Sequence, residues 1–133
     1  MKTATLTIHI PTQSANATDE WYVAVPWKGK WAIEAINFAP ATAVAIDGTD
    51  YLTSTITAND GAAGSDSGTI ASHNTNTGGT ALVLKTTLDL TVTAPSALGG
   101  VLAKGNQIKI AKTLAGAGKI LDGTYTIALR KVG

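Results

Sequence analysis

Alternation of apolar and polar residues is the dominant signal along this chain. Residues 3–10 place Ala4, Leu6, Ile8 and Ile10 on one side and Thr3, Thr5, Thr7 and His9 on the other, a period of two that predicts a half-buried β-strand. Pro11 ends it, because proline has no amide to donate to a sheet, and the polar run 12–19 reads as loop. Residues 20–25, Glu-Trp-Tyr-Val-Ala-Val, predict a second short strand closed by Pro26. Lys28-Gly29 is turn chemistry before a strand over 31–38, whose sides are Trp31, Ile33 and Ala35 against Ala32, Glu34, Ile36 and Phe38. Both sides are largely apolar, which predicts a central place in its sheet.

Beyond Pro40 come residues 41–46 and the turn Asp47-Gly48-Thr49-Asp50, and then a strand over 51–58 with Leu52, Ser54 and Ile56 alternating against threonines. Polar loops at 59–68 and 74–80 flank a brief strand over 69–73. Residues 82–86 read as strand or helical turn, and 88–93 as a strand ended by Ala94-Pro95. Gly99-Gly100 and Gly105-Asn106 bracket 101–104. Residues 107–114 put Ile108, Ile110 and Lys112 on one side, and 124–132 do the same with Tyr125, Ile127 and Leu129. No stretch of ten residues carries a helical stripe. Eight to nine short strands with Gly, Pro and Asn in the joints predict an all-β, single-domain antiparallel β-sandwich, jelly-roll-like, over 1–133. Residues 1–19 are its N-terminal strand and loop, with an arm as the alternative.

Composition narrows the role. Charged residues are 14% of the chain, against about 25% in ordinary soluble domains, and Thr and Ala fill the gap. Such a neutral, flat surface suits contact with other proteins. The net charge of +1 carries no footprint for nucleic acid or an anionic membrane, and neither is expected as a partner. Charge is divided unevenly: residues 1–66 hold seven acids and three bases, residues 67–133 two acids and seven bases. Complementary faces between subunits would produce that pattern, as would chance interleaving of the two halves. With no cysteine, thiol catalysis and Cys-ligated zinc are excluded. Lys2 and Ala15-Asn16-Ala17 imitate a signal peptide, but the segment between them alternates instead of running apolar, and no window approaches a membrane span.

Candidate chemistry is sparse. His9 and His73 are expected as solvated strand positions, and Ser72-His73 beside Asp66 lacks the nucleophile elbow and oxyanion glycine of a triad. Asn59-Asp60-Gly61 through Ser65-Asp66-Ser67 offers oxygens, but its spacing fits no calcium loop, so no metal is expected. Leu98-Gly99-Gly100 and Ala115-Gly116-Ala117-Gly118-Lys119 lack the full phosphate-loop spacing and a following helix, and read as turns. The aromatic group Trp21, Tyr22, Trp27 and Trp31 falls within eleven residues. Core packing, a subunit or lattice interface and a sugar-stacking platform all use such residues.

At Trp27-Lys28-Gly29-Lys30, followed by Ala35-Ile36-Asn37-Phe38-Ala39-Pro40, the chain resembles small bacteriophage head proteins of the capsid decoration, cement or head-fibre type. The likeness continues through the Thr-rich segment 51–58, the loop Asp60-Gly61-Ala62-Ala63-Gly64-Ser65, the Leu-x-Leu strand 88–93 and Gly105-Asn106, where those sequences often have Gly-Asp. It spans about residues 21–133, and the leading strand from Thr3 is an addition to it. The resemblance implies a non-enzymatic β-sandwich that needs no cofactor, is made in the host cytoplasm and sits on the capsid exterior of the virion. Its partners would be the major capsid protein and itself, as a homotrimer. Trp21, Trp27 and Trp31 are the interface candidates, with Ile8 and Ile10 on a first strand that would be exchanged or docked on the capsid. The competing expectation is a carbohydrate- or receptor-binding module of a tail fibre or secreted enzyme, since jelly rolls host both roles.

Overall fold

The structure, a computed structural model, describes residues 2–14, 17–64 and 66–133. Its strands are β1 (Thr3–Ile10), β2 (Asp19–Ala24), β3 (Lys30–Pro40), β4 (Tyr51–Asn59), β5 (Ala71–Asn74), β6 (Leu88–Leu90), β7 (Leu102–Ala103), β8 (Gln107–Ala115) and β9 (Gly123–Lys131), with one 3₁₀ turn at Ser96–Leu98. They form two antiparallel sheets, β1-β9-β3-β6 with β7 also paired to β3, and β2-β8-β4-β5. Setting aside the two-residue β7, the first strand pairs with the last, the second with the next to last, β3 with β6 and β4 with β5. That nested pairing, rolled into two layers, is the jelly-roll order.

The core lies where the inward rows of the sheets meet. Leu6, Ile8 and Ile10 of β1, Ile36 and Phe38 of β3, and Tyr125, Ile127 and Leu129 of β9 face Leu52 and Ile56 of β4 and Ile108 and Ile110 of β8. Each such aliphatic chain contributes roughly 1.5–3 kcal/mol by leaving water, and their spacing of two is what the sequence alternation encodes.

The two apolar sides of β3 have a more specific cause than a central position. Pairing with β9 runs Trp31↔Lys131, Ala32↔Arg130 and Ile33↔Leu129, then resumes at Ala35↔Ala128 and Ile36↔Ile127, so Glu34 is an extra residue at a bulge. One extra residue exchanges the two faces. The inward set is Trp31 and Ile33 before the bulge and Ile36 and Phe38 after it, and Glu34 is turned out to pair with Arg130.

Several expected strands are shorter. The 88–93 strand stops at Leu90 because the Thr93 amide leaves the sheet to donate to Ile70 O at 2.8 Å. Residues 41–46 and 82–86 supply only the bridge Val44↔Leu82, since Leu82 is buried while Val83 and Leu84 are exposed and have nothing to pack against. The N-terminal strand is built into the fold, paired with β9 at eight consecutive positions. Among the described residues no helix is long and apolar enough to cross a membrane.

Candidate functional site

At one end of the sandwich the inward rows run past the last core layer and leave an open mouth. Lys2 and Ala4 from the β1 side, Lys131 of β9 and Trp31 of β3 reach it, and the crossover Pro26-Trp27-Lys28 closes one side. The result is a groove of about 660 Å³ lined by these residues with Thr3, Thr5 and Lys104. Four of the lining residues are lysines and none is acidic.

Trp27 and Trp31 are in contact there, ring centres 5.5 Å apart and planes inclined at 49°. Trp31 is 2% exposed and its Nε1 donates to Lys28 O at 3.2 Å, so it anchors the turn, while Trp27 is only partly buried. Gly29 makes the turn possible. Its φ is +98°, and a Cβ there would stand 2.6 Å from both Gly133 O and Lys131 Cε, so only glycine lets the chain end lie against the turn. Lys30 N donates to Gly133 O at 2.9 Å and Val132 N to Lys30 O at 2.8 Å, which hold Lys131 at the rim.

A second constellation lies between the sheets. Tyr125 of β9 is fully buried and its hydroxyl meets Ser54 Oγ of β4 at 2.6 Å and His73 Nε2 of β5 at 2.5 Å. Phe38 stacks on both rings, with centres 4.3 Å from Tyr125 and 5.3 Å from His73. His73 Nδ1 is buried without a partner. With the ring proton on Nε2, Tyr125 accepts from His73 and donates onward to Ser54, and Nδ1 carries only a lone pair. Charging the ring would add an N–H at Nδ1 with no acceptor. Burial accordingly lowers the His73 pKa to about 4 and holds the Tyr125 phenol above its ordinary range, a rise that the Ser54 hydrogen bond opposes.

Lys112, on the inward row of β8, is also buried, 1% exposed. Its Nζ donates to Gln13 Oε1 at 3.1 Å, and the Gln13 amide donates to the carbonyls of Pro11 and Leu121, so the loop after β1 plugs the interior over the ammonium. Burial lowers the Lys112 pKa, and the Asp19 carboxylate opposes the shift.

His73 therefore corrects the expectation of a solvated position: it is 6% exposed because it falls on the inward row of β5. Ser72, next to it, points outward and is exposed, so the two cannot act together. In the 59–68 loop the Asp60 carboxylate accepts the amides of Ala62 and Gly64, at 2.9 and 3.1 Å, and Ser65 lies outside the described residues. Ala15 and Asn16 of the signal-like segment do so too. Among the described residues no group of three His, Cys, Asp or Glu side chains is placed to hold a metal ion.

Of the interface candidates, Ile8, Ile10 and Trp31 are buried in this chain's own core, and their side chains present no surface to a partner. Inward alternation on β1 and the bulged register of β3 are the reason. Trp21 packs partly buried on β2, in the other sheet from Trp31, and Trp27 lines the groove beside the more deeply buried Trp31. Tyr22 is the exposed member of the group, 52% exposed, with its hydroxyl donating to Glu20 Oε2 at 2.6 Å. Sequence reading missed the lysine rim because Lys2, Lys28, Lys104 and Lys131 are scattered along the chain and converge only through the pairing of β1, β9, β3 and β7. Fold and surface together define a jelly-roll β-sandwich with one open, basic end. No protein-family model and no curated protein matches the chain.

Proposed function

We propose that this chain is a structural virion protein that binds the outer surface of a phage capsid and stabilises the head. It works as a homo-oligomer without catalysis or a cofactor, and its partner is the major capsid protein. One observation carries the reading: the hydrogen-bonded cluster of His73, Tyr125 and Ser54 is sealed between the sheets, the other histidine, His9, lies at an exposed position of β1, and what faces outward is contact surface. That surface consists of threonine-rich strand faces and the groove beside Trp27. The head-protein resemblance of residues 21–133 supplies the biological setting.

The mechanism is added interface across capsomer boundaries. Each subunit needs only a standard contact, on the order of 800 Å² per partner, because many copies on one shell act together. A sugar platform is less well supported, since coplanar exposed rings beside Asn and Asp would serve it. The rings here are inclined at 49° and one of them is buried. The test is solution mass together with co-sedimentation on phage heads that lack the protein. An oligomer that pellets with the heads is expected; a monomer that ignores them and is retained on a polysaccharide column would overturn the reading.

A further inference from the structure

We propose that the open mouth is a docking groove for an extended, acidic peptide segment of a partner protein, added as a strand along the free edge of β1 with an apolar side chain seated on Trp27. This goes beyond the capsid reading, because it names the chemistry of the docked segment and holds for any protein that carries it.

The first support is charge. Lys2, Lys28, Lys104 and Lys131 ring the groove with no acid among its lining residues. Among the described residues the only ion pair is Arg130–Glu34, which involves none of the four. Carboxylates on an incoming segment would relieve their mutual repulsion.

The second support is backbone. Lys131 N donates to Lys2 O at 2.9 Å, and Thr3 lies opposite Arg130, so at Lys2 the backbone is turned toward β9. In an antiparallel ladder this orientation alternates, so the amides and carbonyls of Thr3, Thr5, Thr7 and His9 face the free edge. Edge strands are ordinarily protected by charge, proline or a bulge. Residues 3–10 contain neither charge nor proline, and their pairing with β9 has no irregularity. Thr3 and Thr5 line the groove itself, so edge and rim act on the same ligand. Free amides two residues apart recognise a peptide backbone, and this favours a peptide over a nucleic acid or another polyanion.

The third support is the floor. Trp27 is held against the buried Trp31 and offers an apolar surface in the same groove as the four lysines.

The probe is a capped octapeptide alternating valine and aspartate, compared with the same peptide carrying lysine for aspartate, by calorimetry and tryptophan fluorescence. The aspartate peptide is expected to bind with a Kd of roughly micromolar to millimolar size, more weakly as salt rises, and the lysine peptide not at all. The double variant Lys28→Glu/Lys104→Glu is expected to lose binding by about tenfold or more. Thr5→Pro is expected to lose it too, since proline removes an outward amide and leaves the β9 ladder intact. Thermal unfolding of both variants confirms that they fold. Equal binding of the two peptides, unchanged binding by the Lys28→Glu/Lys104→Glu variant, binding of heparin or duplex DNA in place of the peptide, or self-association that those charge reversals abolish would each overturn the proposal. Head co-sedimentation is a separate readout, so the failure of one reading leaves the other standing.

Discussion

The Tyr125 cluster and the Trp27 mouth are built from the same two strands. Phe38 lies opposite Tyr125 and Trp31 opposite Lys131, two cross-strand pairs of β3 and β9 that each join an aromatic ring to a residue with a polar head. At the first pair β4 and β5 of the other sheet cover the position, so the hydroxyl of Tyr125 finds Ser54 and His73 and water is excluded. At the second pair only Trp31 is covered, and the exposed Lys131 lines a groove. Membership of the inward row thus does not decide what a residue can do; the opposite sheet does. The polar groups of the Tyr125 cluster are shut off from solvent because they are covered, and the lysines of the mouth stay open to solvent because they are not.

The largest effect should separate the two tryptophans that touch. Trp31→Ala empties a core position and is expected to cost about 3–5 kcal/mol, whereas Trp27→Ala, at a partly buried site, should cost no more than about half of that. Urea unfolding midpoints measure both. Equal losses would show that the mouth is as much core as the Tyr125 layer, and the comparison would collapse.

Acid comes next. His73 has a folded pKa of about 4 against 6.5 for the free ring, so between those values the unfolded chain binds more protons than the folded one. The contribution of His73 to stability is expected to be fully present well above pH 6.5 and to be lost as pH falls through that window, by roughly 3 kcal/mol at its lower end. His73→Leu, which leaves the Tyr125–Ser54 bond in place, should flatten this part of the profile. An unchanged slope in that variant would assign the acid sensitivity elsewhere.

The smallest effect belongs to the rim. Lys28→Glu/Lys104→Glu should move stability by no more than about 0.5 kcal/mol, because both residues are exposed and make no ion pair among the described residues. A melting temperature that falls by several degrees would mean that the lysines hold the fold instead of serving a ligand.

What the residues alone determined is the architecture. Period-two alternation in 3–10, 51–58, 107–114 and 124–132, with Pro11, Pro26 and the glycine turns between, specifies half-buried strands and hence two sheets around one core. Local pattern can do this because a strand's faces follow from its own sequence. The candidate site was legible only in fragments: Trp27 stood out, but its lysine neighbours come from four separate places in the chain. His73 looked solvent-facing because polarity says outward, while Ser54 already shared a side with Leu52 and Ile56, and only the packing of β4, β5 and β9 supplied the tyrosine hydroxyl that lets both be buried. Glu34 appeared as one more position in an apolar strand, and only its register against β9 made it a bulge. Tertiary structure decided these points because hydrogen-bond partners, sheet cover and charge clusters are contacts between distant residues, and no local period records them.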